Sequence, residues 1–374
     1  MRKKVALIFG GRSLERDISV ISAMQVLNNV NKSQYRVEPI FMYEGDFYAG
    51  KLDKLQAFVN FNPLDHTKLL LYKGEFYTIK RNGMSKYFKP DAVFVACHGG
   101  EGENGVLQGL LEYNGLAHTS TGVLASAAGM DKALSKQLFD GMLLNTLPHE
   151  VVTRSEFELD REKTLMRIES FLGYPLIVKP SSQGSSIGIT VVNDKKELEY
   201  ALEVAAKFDS KIIVEHKLTD FVEVNCAAFK DGDNIVLSET EQPLTLNDFL
   251  TFEDKYASDG KMSGGGHIIP AQIGSLELIV KANTERIYRE LDLNGVVRMD
   301  YLVDVARNKV YINEINTVPG SMAFYLFEPL GISFDDLISR LIENAVEYHA
   351  LHKVPNAYRT EVISKYVGGA KMKK

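Results

Sequence analysis

Leu293-Asn-Gly-Val-Val-Arg-Met-Asp-Tyr301 and, after a polar turn, Val310-Tyr-Ile-Asn-Glu-Ile-Asn-Thr-Val-Pro-Gly320 form the stretch whose reading decides the fold. Val296 to Val303 and Lys309 to Ile315 are β-branched and aromatic runs. The intervening Asp304-Val-Ala-Arg-Asn308 has turn composition, so the two runs predict a hairpin. Side chains alternate along a strand, which puts Arg298 and Asp300 on one face of the first arm and Glu314 and Asn316 on one face of the second. Pairing of the arms brings Asp300 beside Glu314 and Asn316, an all-oxygen set of the kind that suits Mg2+, with Arg298 at its rim. The same residues would also serve as the outward face of an ordinary antiparallel edge. The neighbouring Ile312 and Ile315 make the run too apolar for a solvated strand, and carboxylates in apolar surroundings need a cation.

At 374 residues the chain has room for two or three domains with real cores. A net charge of −6, with no basic run before Lys371, Lys373 and Lys374, argues against a nucleic-acid partner. Cys97 and Cys226 lie in apolar segments and read as small core residues in a reducing compartment. The opening Met1-Arg-Lys-Lys-Val-Ala-Leu-Ile-Phe-Gly-Gly11 has five apolar residues before the glycines, too few for a signal peptide and right for a first strand. No apolar run approaches transmembrane length. A soluble cytoplasmic protein with no membrane partner is expected.

Outward from the hairpin, Val5 to Phe9 is a strand, Gly10-Gly-Arg-Ser13 a tight turn, and Ile18, Ile21, Met24 and Leu27 mark a helix from Asp17 to about Val30. Strand, glycine turn and helix open a doubly wound domain, whose ligands sit at the carboxyl ends of strands; packing of the turn explains the glycines equally well. Residues 44–87 read only as an elaboration of this domain. Asp91 to Cys97 is a second strand running into His98-Gly-Gly-Glu-Gly-Glu-Asn-Gly105 and a helix carrying Val106, Leu107, Leu110 and Leu111. An isolated histidine is more often structural than catalytic, but glycines on both sides of a pair of glutamates imply a backbone shaped for close approach.

A helix from Asp131 to Gly141 carries Lys132 and Lys136, which on their own read as a solvated face. Tyr174 to Val178 is a strand delivering Lys179 to Pro180-Ser-Ser-Gln-Gly-Ser-Ser-Ile-Gly188, followed by the β-like run Ile189 to Val192. A Walker loop would need a helix there, so the segment reads as a hairpin tip that folds over phosphates with Lys179 as counter-charge, or as a flexible loop with no ligand. Ile212 to Glu215 is a strand ending in a carboxylate, and Val222-Glu-Val-Asn225 begins another. Asn247 to Pro270 is polar and glycine-rich, a long loop of the kind that serves as a lid or is disordered. Ser275 to Leu291 and Leu337 to Tyr348 are helical, and Asn356 to Lys374 is a polar tail.

Arg298-x-Asp300 followed by Asn313-Glu-x-Asn-Thr-x-Pro-Gly320 resembles the metal-binding signature of ATP-grasp enzymes, in particular the D-alanine–D-alanine ligases. Gly10-Gly-x-Ser-x-Glu-Arg16, the His98 to Gly105 segment with Asn104 for the usual aspartate, Met130-Asp-Lys132, the Lys179 loop and Lys255-Tyr256 resemble further motifs of that family, in order. The resemblance implies an α/β, three-domain ATP-grasp fold with an N-terminal doubly wound (Rossmann-like) domain, divided at residues 1–122, 123–216 and 217–355, with the tail from 356 to 374. It implies that Glu15 holds the ammonium of a first D-alanine, that Lys132, Lys179 and Lys255 hold the phosphates of ATP, and that Glu215 and Glu223 serve the nucleoside. Asp300, Glu314 and Asn316 would bind a pair of Mg2+ ions, with Mn2+ as the alternative. Glu15, Ser185 and Tyr256 would lock the lid, Lys255 would pair with Glu103, and Arg298 with the Gly320 N–H would stabilise an oxyanion. His98, Ser321 and Tyr325 would line the substrates, Tyr325 standing where the usual ligases carry a serine for the carboxylate of the second D-alanine.

The implied activity joins two D-alanines through an acylphosphate for peptidoglycan precursor synthesis, in a homodimer. Three alternatives stand beside it. A relative could use D-lactate or D-serine as acceptor, a possibility His267 keeps open against Tyr256. A different ATP-grasp enzyme could share only the nucleotide half, against which Glu15 and Lys255-Tyr256 argue. A nucleotide-binding module without catalysis is the third, and the metal triad argues against it.

Overall fold

The computed structural model describes residues 2–184, 187–244, 266–352 and 363. Ser185, Lys255, Tyr256, most of the expected lid and nearly all of the tail lie outside the described residues. The N-terminal part comprises β1 (Lys3–Gly10), α1 (Arg16–Asn29), β2 (Tyr35–Tyr43), β3 (Asp46–Ala49), α2 (Gln56–Val59), β4 (Thr67–Tyr72), β5 (Glu75–Lys80), β6 (Gly83–Phe88), β7 (Ala92–Ala96) and α3 (Val106–Tyr113). These strands form a seven-stranded sheet in the order β6-β5-β4-β3-β2-β1-β7. β1 pairs in parallel with β2 and with β7, and Val5 to Phe9 is wholly buried, as a continuous apolar run in a covered parallel strand should be. Strands β3 to β6 add antiparallel hairpins that the 44–87 segment did not announce. Their inner end is held by aromatic packing of Phe41 on Phe58 and Phe61.

α4 (Val123–Met130) and α5 (Lys132–Gly141) lead into the central part, which comprises β8 (His149–Thr153), α6 (Arg154–Leu159), α7 (Arg161–Leu172), β9 (Leu176–Pro180), β10 (Thr190–Val192), α8 (Lys195–Phe208) and β11 (Lys211–His216). Its antiparallel sheet runs β10-β9-β11-β8 and has its own core, including Val152, Ile168, Val178, Leu202 and Val214.

The last part comprises β12 (Val222–Asp231), β13 (Asn234–Pro243), β14 (His267–Ile268), α9 (Leu276–Glu290), β15 (Val297–Asp304), β16 (Lys309–Asn316) and α10 (Phe334–Leu351), with its sheet in the order β14-β13-β12-β15-β16. β15 and β16 are the hairpin read from the sequence. One face of this sheet packs Val224, Met299 and Tyr301 against Ile287 and Tyr288 of α9. At the opposite side Ala227 and Phe229 join a core shared with Leu7, Phe9 and Phe94 of the first sheet and Leu337 and Leu341 of α10. The first and last parts are therefore welded by one apolar core, while the central sheet stands on its own. No helix of the described residues is long and apolar enough to cross a membrane, and Cys97 and Cys226 are free and buried.

Candidate active site

The β15/β16 register sets Asp300 opposite Glu314 and Arg298 opposite Asn316, so these four side chains share one face. Arg298 forks onto Asp300, Nε to Oδ1 at 2.7 Å and Nη2 to Oδ2 at 2.8 Å, and Asn316 Nδ2 donates to the same Oδ2 at 2.9 Å. Burial works against the guanidinium charge, but Asp300 outweighs it and holds the Arg298 pKa well above its ordinary value. Arg298 is thus a member of the cluster rather than its rim.

Lys132 opens α5 and reaches across to this face, its Nζ 3.2 Å from Glu314 Oε2 and 2.8 Å from the carbonyl of Gln183. The start of α5 is pinned there by Asp131, whose Oδ1 accepts from Leu134 N at 3.1 Å and from Ser181 Oγ at 2.6 Å. Lys136, one turn on, is fully buried rather than solvated: it lies 2.6 Å from Glu215 Oε1, while Lys179 pairs with Glu215 Oε2. Burial pushes the Glu215 carboxyl up, but the two lysines outweigh it and hold its pKa at about 2. Its carboxylate is therefore spent as a counter-ion beneath the lysines and is not offered to a nucleoside. Glu223 is half-buried near the start of β12, opposite Leu302. Ala133, Lys136 and Phe139 lie on the buried face of α5.

Facing this end is a cavity of about 430 Å3 whose lining includes Ser13, Glu15, Gly99, Met130, Gln183 and Gly184. Glu15 precedes α1, and its carboxylate lies so close to Gly99 and Gly184 that a Cβ on either would fall 2.4 and 2.7 Å from Oε2. Both loops approach a charged group closely; at Gly99 the left-handed φ of +66° requires glycine as well, whereas at Gly184 the near atoms belong to the movable Glu15 side chain.

Behind Glu15, Glu103 is buried with both oxygens accepting backbone N–H groups, Oε2 from Gly99 and Oε1 from Val318, each at 2.9 Å. Burial, and then the Glu15 charge, raises its pKa to about 7. The pairing of Glu103 with Lys255 that the resemblance implied falls outside the described residues, since Lys255 is not among them. His98 is also fully engaged. Its Nδ1 donates to Val318 O and its Nε2 accepts from Ser22 Oγ, both at 2.7 Å, while Ser22 Oγ accepts from Ser321 N at 3.1 Å. Burial lowers the His98 pKa, consistent with a neutral ring in this relay. The structure makes His98 a positioning residue that ties α1 to residues 318–321, and its ring does not reach the cavity.

Gly320 begins a tight turn in which the non-glycine residues Ser321, Met322 and Ala323 all take left-handed φ of 52°, 55° and 47°. Such backbone persists only where surroundings over-determine it, and the relay from His98 through Ser22 to Ser321 is part of that constraint. The turn delivers Tyr325, whose hydroxyl donates to Glu241 Oε2 at 2.9 Å, a partner the spacing of motifs did not reveal.

The donor set suits the cation the sequence implied. Asp300, Glu314 and Asn316 are hard oxygen ligands on one face with no sulfur among them, Arg298 and Lys132 being paired with the two carboxylates.

The profile described as "D-ala D-ala ligase N-terminus" matches residues 4–121, and that described as "D-ala D-ala ligase C-terminus" matches residues 138–343. The D-alanine–D-alanine ligase of Thermosipho melanesiensis is 35% identical over 352 residues, 92% of this chain and 93% of that one. That of Caldicellulosiruptor bescii is 36% identical over 361 residues, 92% and 95% of the two chains. Among solved structures, the VanG D-Ala:D-Ser ligase of Enterococcus faecalis superposes with a TM-score of 0.78 at 28% identity, covering 92% of this chain and 100% of that one. The D-alanine–D-alanine ligase of Helicobacter pylori superposes with a TM-score of 0.76 at 27% identity, covering 95% and 100%. With both halves of the profile matched in order on one α/β framework, the chain belongs to the D-alanine–D-alanine ligase family.

Proposed function

We propose that the protein joins two D-alanine molecules at the expense of ATP, through an acylphosphate, to supply a peptidoglycan precursor. The observation that carries this reading is the meeting of Lys132 with Glu314, which sets a phosphate-type cation against a metal-type ligand on the face that also holds Arg298 and Asp300. Glu15, near Gly184 of the adjoining loop, is the anion for the ammonium of the first substrate. Lys132 and Lys179 hold the phosphates, Lys136 and Glu215 keeping Lys179 in place from below, and Lys255 joins them from the lid. The carboxylate of the first D-alanine attacks the γ-phosphorus, the bond to ADP breaks, and the amine of the second D-alanine displaces phosphate from the activated carbonyl with loss of a proton. Arg298 and the Gly320 N–H take the developing negative charge on the carbonyl oxygen. Mg2+ on Asp300, Glu314 and Asn316, when bound, neutralises charge on the transferring phosphoryl group. Ser185, Tyr256 and Ser321 complete the substrate environment in this proposal, His98 positions residues 318–321 from behind, and Glu223 serves the ribose.

The same reading assigns three functional domains at 1–122, 123–216 and 217–355, a homodimer and a cytoplasmic location. ADP release from ATP, Mg2+ and D-alanine, with the dipeptide identified by mass, tests the activity. Glu314→Ala is expected to lose about 3 kcal/mol of transition-state stabilisation while keeping its fold, and wild-type turnover in that variant removes the metal assignment. His267, stacked on Tyr325 with ring centroids 5.6 Å apart, favours D-serine or D-lactate as a second reading of the acceptor. A panel of acceptors with ATP and D-alanine decides between them.

A further inference from the structure

One row of residues crosses four strands of the last sheet at a single level. Glu241 of β13 is opposite Asn225 of β12, Asn225 is opposite Asp300 of β15, and Asp300 is opposite Glu314 of β16. Directly opposite residues share a face, so Glu241 stands on the same face as Asp300 and Glu314, at the far end of the row. The chemistry assigned above uses only the Asp300 and Glu314 end.

Glu241 is 5% exposed. Its Oε2 accepts from Asn225 Nδ2 at 3.0 Å and from the Tyr325 hydroxyl at 2.9 Å, and its Oε1 lies 3.8 Å from His267 Nδ1. Among the described residues no lysine or arginine pairs with it directly. It is a buried carboxylate held in place by a neutral amide and a phenol, within electrostatic reach of Arg298.

A phenol has one proton to donate. Tyr325 donates it to Glu241, and burial, then the Glu241 charge, raises the phenol pKa above its ordinary value, so the proton stays. What the Tyr325 oxygen has left for a ligand is a lone pair. A lone pair repels a carboxylate and accepts from an ammonium. The expectation that Tyr325 replaces a serine as donor to the carboxylate of the second substrate therefore fails on hydrogen-bond direction.

We infer that Tyr325 and Glu241 read the nitrogen of the second substrate as it binds, the phenol oxygen accepting a hydrogen bond from its ammonium and the buried Glu241 charge favouring that ammonium over a neutral hydroxyl. The ammonium loses a proton to solvent before the amine attacks. Tyr325 touches the substrate; Glu241 is the positioning residue that turns the phenol proton away and supplies the charge. The substrate's carboxylate turns to Arg298, whose Nη1 takes no part in the fork on Asp300. This rests on the ligase reading above.

The test is the product mixture from ATP, D-alanine and a competing acceptor. D-Lactate lacks the ammonium, whereas D-alaninamide keeps it and lacks the carboxylate. Tyr325→Phe and Glu241→Gln are each expected to raise the depsipeptide share against D-lactate about tenfold, the worth of one hydrogen bond to a charged group. The ratio of dipeptide to dipeptide amide should not move, and the double variant should be no worse than either single one, because the two residues act as a unit. A shifted amide ratio with an unchanged D-lactate ratio would assign Tyr325 to the carboxylate and overturn the inference. Unchanged ratios in both folded variants would remove the pair from the site. If Glu241→Gln gives no cooperative melt, Tyr325→Phe, which deletes one oxygen, decides alone. A wild type that releases no ADP with any D-amino acid overturns the ligase reading and this inference together, and shows itself before any variant is compared.

Discussion

Glu215 and Glu103 are both buried carboxyls, and their surroundings drive them in opposite directions. Glu215 sits between two ammonium groups, so its pKa falls from 4.5 to about 2. Its stabilising contribution is present above pH 4.5 and is lost as the pH falls through about 2. Glu215→Gln leaves Lys136 and Lys179 facing each other without a counter-charge and should cost about 3–5 kcal/mol in chemical denaturation. Lys136→Met leaves a neutral Lys179 and Glu215 pair and should cost less than half of that; equal losses would mean that the lysines do not share the carboxylate. Glu103 is lifted from 4.5 to about 7 by burial and by Glu15. The folded state then holds its proton more tightly than the unfolded state, so its contribution is full below pH 4.5 and is lost as the pH rises through about 7. The wild-type melting temperature should carry this fall, on the order of 3 kcal/mol, and Glu103→Gln should flatten it. An identical pH profile for the two proteins would show that Glu103 titrates normally.

At the scale of elements, the site is built where loops from different sheets abut, and the approach is set by glycine. Residue 184 follows β9 of the central sheet and faces Glu15 ahead of α1 of the first. A Cβ there would meet the far end of a flexible side chain, 2.7 Å from Glu15 Oε2, so the chain can yield without unfolding. Gly184→Ala should therefore melt within about 1 kcal/mol of the wild type while the KM of the first D-alanine rises about tenfold, because Glu15 must swing aside to admit the methyl. A KM unchanged in the first subsite would mean that Glu15 does not hold that substrate.

The whole molecule combines a welded frame with a separately cored central sheet. Phe229 of β12 packs edge-on against Phe327 at 5.2 Å, inside the core that also contains Phe9, Phe94 and Leu341. The central core draws on Val152 to Val214 alone. Hydrogen exchange under mild denaturant should resolve two cooperative units, β1 and β7 protected together with β12 and α10, and β8 to β11 opening at lower free energy. Coincident opening of all three sheets would contradict this division.

The sequence by itself determined the β15/β16 hairpin, with the polar face it presents, and several of the helices, though not the strands of residues 44–87. Period-two alternation in Val296 to Ile315 specified the hairpin and which side chains share a face, and helical spacing specified α1, α5 and α9, because these signals are local and each residue's neighbours along the chain carry them. It was silent on pairings between residues distant in the chain. Lys136 reads as solvated until β11 places Glu215 against it, and Tyr325 reads as a donor to substrate until β13 brings Glu241 to its hydroxyl. Hydrogen-bond direction, the compensation of buried charge and the core shared by the first and last sheets depend on which surfaces meet in three dimensions, and those meetings were decided only by the tertiary structure.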